Sequence, residues 1–397
     1  MAKSSPEPHH GAARLILYAL GAVGIAGTWG IAAVNGMLLH LFSALHGGEP
    51  YILPGTKFPM RTNFTGIYWP VDYLLDVLVV FFWEAIDGSH PAASALGIYF
   101  LGQFLPILVA FYRDNFRAAS QGSQILRATL WALSFQMMAI ASTGWIWALV
   151  YIDSSPTTNP SLPAATLKQA SIAPPRLSYL LLPALAIGYV VPAIAMAIPS
   201  RSLASNNFQQ LALIAWNIFP VWVMIILKTF SLGSASGSQR NKALATPQQH
   251  LKAARWVNST TIVLSSAMHV ATWAISLSTL LFPSLFNSGL SQHLRPSSVF
   301  LPTLSVAHGA TVGDGVHSFF YWDQVAGYTT VALVMLLQLR AAMLATGRSF
   351  NWMQAIGATL LGSLVLGPGS ACLAISWLRD EVLFVPDSAT RKDKGKY

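Results

Sequence analysis

Nine stretches of this chain run for about 20 residues or more with little charge, the length a helix needs to cross the hydrocarbon of a bilayer. They cover residues 14–42, 66–86, 92–112, 128–151, 177–198, 208–230, 256–282, 321–344 and 352–378. Only 9% of the 397 residues are Asp, Glu, Lys or Arg, where a soluble domain carries roughly 25%. That shortage excludes an ordinary cytosolic enzyme, a disordered chain and a nucleic-acid-binding module. It predicts an all-α fold, a polytopic transmembrane helical bundle of about 8–9 spans, the lower count holding if one segment only dips into the bilayer. Residues 13–379 form one helical domain on this reading, between polar tails at 1–12 and 380–397.

The connections carry the remaining polarity. Residues 42–65 hold Pro50, Pro54 and Pro59 and predict a loop on the membrane surface. Residues 283–320 form a long, weakly charged connection with Gly309, Gly313 and Gly315 among His308, Asp314 and His317, a candidate lid. Those histidines and the aspartate match no metal-ligand spacing, so no metal is predicted. The net charge of +9 is spread over short loops, as expected beside a negatively charged membrane surface. The basic residues divide almost evenly between the two sides, which leaves the orientation open. Cys372 is the only cysteine, so there is no intramolecular disulfide and no cysteine-based metal or haem site.

With so few charges, an acid inside an apolar stretch is informative. The second stretch carries Asp72, Asp76 and Glu84, with Asp87 at its end. On a helix, with Asp72 at zero, Asp76 falls near ~40°, Asp87 near ~60° and Glu84 near ~120°. Trp69, Tyr73 and Trp83 share that arc, and Leu74, Leu75, Leu78, Phe81, Phe82 and Ala85 cover the opposite side. Burial and a neighbouring carboxyl both favour the neutral acid, which makes such a face a candidate proton donor. The bland alternative is that these acids hydrogen-bond neighbouring helices or sit at helix ends near water. A second acid, Asp323, opens the eighth stretch between Trp322 and Gln324, where it caps the helix or enters a pocket. Arg379, Asp380 and Glu381 predict an ion cluster at the membrane interface.

Aromatic rings stabilise a nearby cation by ~0.5–2 kcal/mol, more where water is excluded. A neutral acid beside a dry aromatic pocket is what carbocation chemistry requires, because the acid starts it and dry walls prevent quenching. The candidate cation-stabilising residues are Trp69, Tyr73, Trp83 and Trp322. There is no dinucleotide fingerprint, phosphate loop, nucleophile elbow or set of histidine boxes. Asp72-x-x-x-Asp76 is at most half of a magnesium–diphosphate motif and lacks a second aspartate-rich partner.

Trp83-Glu84-Ala85-Ile86-Asp87-Gly88-Ser89-His90-Pro91, followed by Phe100-Leu101-Gly102-Gln103, resembles a segment of the fungal integral-membrane terpene cyclases of meroterpenoid and indole-diterpene pathways. Within that family it resembles the cyclases of ascochlorin and ascofuranone biosynthesis. Phe320-Tyr321-Trp322-Asp323, Gly367-Pro368-Gly369 and Trp377-Leu378-Arg379-Asp380-Glu381 resemble the same group. The resemblance implies a cofactor-independent cyclase that protonates the terminal epoxide of an apolar prenylated substrate, of farnesyl-phenol type, taken from the lipid bilayer. It brings Glu84, Asp87 and Asp323 forward as candidate acids, whereas Asp72 and Asp76 come from the helical-face argument alone. It also implies a multi-pass protein of the endoplasmic reticulum or another endomembrane. The alternative from a different class is a proton- or cation-coupled transporter, since intramembrane acids also relay ions. Pro183, Pro192 and Pro220 are candidate breaks for its helices, but no matching half is visible.

Overall fold

The computed structural model describes residues 10–117, 124–198, 205–232, 246–301 and 311–385. Its first half runs α1 (Gly11–Ile25), α2 (Ile31–Val34), α3 (Met37–His46), α4 (Trp69–Ile86), α5 (Pro91–Asn115), α6 (Gln124–Met138), α7 (Ile140–Ser154), α8 (Ala164–Ser171) and α9 (Pro175–Leu185). It continues with α10 (Val191–Ala197), α11 (Asn206–Asn217), α12 (Phe219–Leu232), α13 (Pro247–Leu281), α14 (Ser288–His293), α15 (Pro296–Phe300), α16 (Val312–Ala345), α17 (Trp352–Leu366) and α18 (Pro368–Phe384). Among the described residues there is no strand, only an isolated bridge between Ile52 and Pro59.

The all-helical class agrees with the sequence, while the span count does not follow from it. Five helices are long and apolar enough to cross a membrane: Gly11–Val34, Pro91–Asn115, Pro175–Ala197, Pro247–Leu281 and Val312–Ala345. A sixth exists if α11 and α12, bent by 65°, count as one. The difference from eight or nine lies in breaks and charges that an apolar window does not register. Gly36, at φ 93°, separates α2 from α3 within the first expected span. Ala139, at φ 72°, divides the fourth, and Gly367, at φ 91°, divides the ninth. α4 is 18 residues long but carries three acids. Pro183 lies inside α9 without ending it, and a π segment at Ala186–Val190 joins α9 to α10.

Two boundaries also move. α16 starts at Val312, not near residue 321, because Thr311 and Asp314 form a reciprocal capping box. Gly313, Asp314, Gly315 and His317 are therefore helical. The segment 283–301 holds α14 and α15, while His308 and Gly309 lie outside the described residues. α18 continues past the expected domain end at 379 to Phe384; the tail beyond Val385 lies outside the described residues.

Small residues set the helix spacing. Gly21, Gly24 and Gly27 line one face of α1 and its π extension. A Cβ at Gly21 would lie 2.6 Å from the Trp145 ring, one at Gly27 2.6 Å from Trp322, and one at Gly24 would overlap the Ala141 carbonyl. α1 therefore sits directly on α7 and α16, the close approach that small residues permit between apolar helices. At another junction Gln103 of α5 accepts from the Gly369 backbone N–H at 3.1 Å and donates to the Ser265 carbonyl at 3.0 Å. That one side chain ties α5 to α13 and α18.

One end of the bundle is closed by buried charge rather than by hydrocarbon. Arg113 donates to Asp380 and to Asn258, each at 2.7 Å. Arg117 pairs with Asp114 at 2.5 Å, and Gln338 donates to Asp114 at 2.7 Å. Arg379 pairs with Asp380 and donates to Gln338. All five charged side chains are at most 1% exposed. The expected interfacial cluster is thus corrected: Arg379 and Asp380 are interior, and Glu381 alone turns outward to a bidentate pair with Arg255 at 2.6–2.7 Å. With water removed, these charges depend on one another and on Asn258, Gln338 and the Ser171 carbonyl, so the pairs must form together.

Candidate active site

α4 begins after an extended Tyr68 with Pro70 in its first turn, which suits a helix start. Asp72 accepts from the backbone N–H groups of Thr65 and Gly66 at 2.5 and 3.1 Å, so it folds the preceding loop onto the helix. Asp76 is buried beside it with Oδ1 lacking a hydrogen-bond partner. Trp69 is exposed, Tyr73 lies against His46, and Trp83 is buried with its indole N–H on the Pro54 carbonyl at 2.9 Å. Asp87 accepts from the backbone and hydroxyl of Ser89 in the hairpin turn. The acid face of α4 is therefore covered by its own flanking loop.

Glu84 belongs to a separate junction. His90 caps α5 by accepting from the Ala93 N–H at Nδ1, 3.1 Å, and its Nε2 meets Asp314 at 3.0 Å. The Asp314 carboxylate raises the His90 pKa, while the Ala93 bond requires an unprotonated Nδ1. Gly313 fits between them, since a Cβ there would lie 2.5 Å from Glu84 Oε2 and 2.6 Å from the His90 ring. The start of α16 is thereby clasped to the α4–α5 hairpin.

The apolar face of α4, opposite the acids, lines a cavity of about 140 Å³. Leu74, Val77, Leu78, Phe81 and Phe82 supply that wall, and Phe100 and Phe104 of α5 supply the next. Trp29, Phe135, Trp216, Phe319 and Phe320 add further rings, beside Leu38, Leu41, Gln136 and Met137. The rings are mutually braced: Phe81 meets Phe319 edge-on at 5.2 Å, Phe82 meets Trp216 edge-on at 5.3 Å, and Phe100 stacks on Phe320 at 5.1 Å. Such offset and edge contacts hold ring faces in fixed directions.

Asp323 is the one acid in that lining among the described residues. It is 5% exposed, and its Oδ1 accepts from the Ala141 backbone N–H at 2.8 Å. Ala139 breaks the chain between α6 and α7 without a side-chain cap, so Asp323 supplies the cap of α7 from another helix. Trp322 turns away and packs over Gly27.

The expected residues thus fall into three groups. Asp72, Asp76, Trp69, Tyr73 and Trp83 lie at the α4 loop face. Glu84 and Asp87 lie at the α4–α5 hairpin. Asp323 alone reaches the aromatic cavity. The cavity rings were not singled out from sequence, although Phe319, Phe320 and Asp323 are spaced i, i+1 and i+4, and Phe100 and Phe104 i and i+4, as one helical face requires.

The sequence model of the CtvD domain matches residues 13–384, nearly the whole chain. The chain belongs to the CtvD domain family. Among its relatives, the terpene cyclase ascI of Acremonium egyptiacum is 27% identical over 394 residues, covering 97% of this chain and 95% of that one. The terpene cyclase ctvD of Aspergillus terreus is 27% identical over 319 residues, covering 78% and 82%. The FAD-dependent monooxygenase anuJ of Penicillium roqueforti is 28% identical over 195 residues, 48% of this chain but 21% of that much longer one. No solved structure matches. The CtvD match spans both the α4–α5 hairpin and α16, so the aromatic cavity lies wholly within the family's domain.

Proposed function

We propose that this member of the CtvD family is a membrane-embedded terpene cyclase that protonates the terminal epoxide of a prenylated, meroterpenoid-type substrate and guides cationic ring closure. The observation that carries this reading is one carboxyl group, among the described residues, set in a cavity rich in aromatic rings. In the proposed reaction Asp323 gives its proton to the epoxide oxygen, the C–O bond opens, and the chain alkene attacks the carbon so exposed. A ring forms, the oxygen becomes a hydroxyl, and the positive charge moves along the chain past ring faces that attract it. Loss of a proton or capture by a hydroxyl ends the sequence, so the overall change is an isomerisation. The carboxylate left on Asp323 is met by the Ala141 N–H and by the positive end of α7. An epoxide oxygen is basic enough for a buried carboxylic acid to act on it, and no cofactor is called for.

The relatives named terpene cyclases support the reaction class. The anuJ relative supports the epoxide, because it joins a segment like this chain to a protein named for monooxygenation, the reaction class that converts an alkene to an epoxide. The five long apolar helices support a location in the bilayer, from which an apolar substrate enters directly. We place the protein in an endomembrane, where such substrates partition.

Membranes from a heterologous host expressing the protein, given an epoxidised farnesyl-phenol and its non-epoxidised parent, test this. The account expects an isomer of the epoxide with one new ring and no change in the parent. Recovery of only the epoxide or its diol, or proton flux through liposomes holding the protein, would contradict it.

A further inference from the structure

A second cavity, about 920 Å³, runs along the other side of α16. Its volume lies in the range of a ligand site, roughly 300–1,000 Å³, whereas the aromatic chamber is far too small for a whole prenylated arene. α1, α16, α17 and α18 form its walls, and α17 has no buried residue, so the cavity is a groove open along one side. Its lining is mostly apolar, with His10, Gln324, Thr329, Thr359 and Ser363 as polar points along it and two further polar groups, Arg340 and Tyr328. Arg340 stands at one end and makes no ion pair or hydrogen bond among the described residues. Tyr328 lies toward the other end, 2% exposed, with a hydroxyl that has no hydrogen-bond partner.

Tyr328 lies between the two compartments. It lines the groove, and its ring stacks at 6.4 Å on both Phe100 and Phe104, which line the chamber. It sits five residues after Asp323 on α16, a rise of about 7.5 Å. From Tyr328 to Arg340 is a further twelve residues, about 18 Å. That is the reach of an extended prenyl chain with an aromatic head group.

Resting on the cyclase reading above, we propose that this groove holds the body of the substrate. An oxygen-bearing, electron-rich or anionic head group lies at Arg340 and the chain points toward Tyr328. Tyr328 is the partition between the groove and the chamber. Only the terminal unit passes the ring stack to reach Asp323. The head group then stays in the groove during cyclisation, which lets one chamber serve substrates with different heads.

The test needs no turnover. A farnesyl-phenol that lacks the epoxide and carries a photoreactive diazirine on the ring is irradiated with the full chain in nanodiscs. Labelled peptides are mapped by mass spectrometry, with the unlabelled parent as competitor. Competed labelling is expected on α16 near Arg340 and on α17 near Trp352. Ala332→Trp, which fills the groove from its wall, is expected to abolish the competed labelling. Labelling that is uncompeted, or that is unchanged in Ala332→Trp, overturns the groove. Failure of the cyclase reading itself registers separately, as absence of product from the epoxide with the competed labelling intact.

Discussion

The Asp323 carboxylate accepts a hydrogen bond from the Ala141 backbone N–H at 2.8 Å, across from α16 to the uncapped start of α7. The side chain therefore has two separable duties, one to the helix and one to the cavity. Asparagine retains the acceptor oxygen and alanine does not. Asp323→Ala is expected to cost about 1 kcal/mol of stability more than Asp323→Asn, the usual worth of a lost cap. Thermal unfolding in detergent measures the difference, and equal melting of the two variants would remove the capping role.

The chamber rings make a graded prediction. Phe82 and Trp216 meet edge-on at 5.3 Å and face the cavity with their flanks held. Phe82→Leu keeps the volume roughly filled but removes the electron-rich face. Loss of ~0.5–2 kcal/mol of cation stabilisation lowers turnover about 2–30-fold. Acyclic products released before the ring closes are expected to rise, and chromatographically resolved product profiles read both effects. The exposed ring Trp69 serves as the control, and Trp69→Leu should leave the profile unchanged.

The junction at Gln103 predicts a structural failure. A Cβ on Gly369 would overlap the Gln103 backbone carbonyl, which no rotamer relieves. Gly369→Ala is expected to abolish accumulation of folded protein. Gln103→Leu, which strands the Gly369 N–H and the Ser265 carbonyl, is expected to cost about 1–3 kcal/mol. Yield and monodispersity after detergent extraction separate the two.

The buried charges predict the reverse pattern. Asp380 faces Arg113, Arg117 and Arg379, and Asp380→Asn leaves those guanidinium groups with Asp114 as the one nearby acid. A loss of about 3–5 kcal/mol of stability is expected. None of these side chains lines either cavity, so protein that does fold should cyclise at the ordinary rate. A drop in turnover per folded molecule would tie the cluster to catalysis.

How much of this was legible in the sequence depended on what sets each feature. The helical class followed from charge scarcity, which any window of residues reports. The span count did not, because Ala139 and Gly367 break helices without altering their apolarity, and a backbone at positive φ leaves no compositional trace at alanine. The acid stripe on α4 was a correct reading of helical phase. What phase does not tell is which face meets the core. Asp72 faces a loop through Thr65 and Gly66, and Phe81 and Phe82 on the side opposite the acids face the chamber. Asp323 was visible as a cap or a pocket residue, and it is both, since the helix it caps is α7 rather than its own.

The most direct measurement compares single-turnover cyclisation of the epoxide by the wild-type chain, Asp323→Asn, Asp76→Asn and Glu84→Gln, each normalised to folded protein. Removing a general acid is expected to lower the rate by about 10²–10⁴-fold. The account predicts that loss for Asp323→Asn alone, with Asp76→Asn and Glu84→Gln within a few-fold of wild type. Full activity in Asp323→Asn, or its loss in Asp76→Asn or Glu84→Gln with the fold intact, would contradict it.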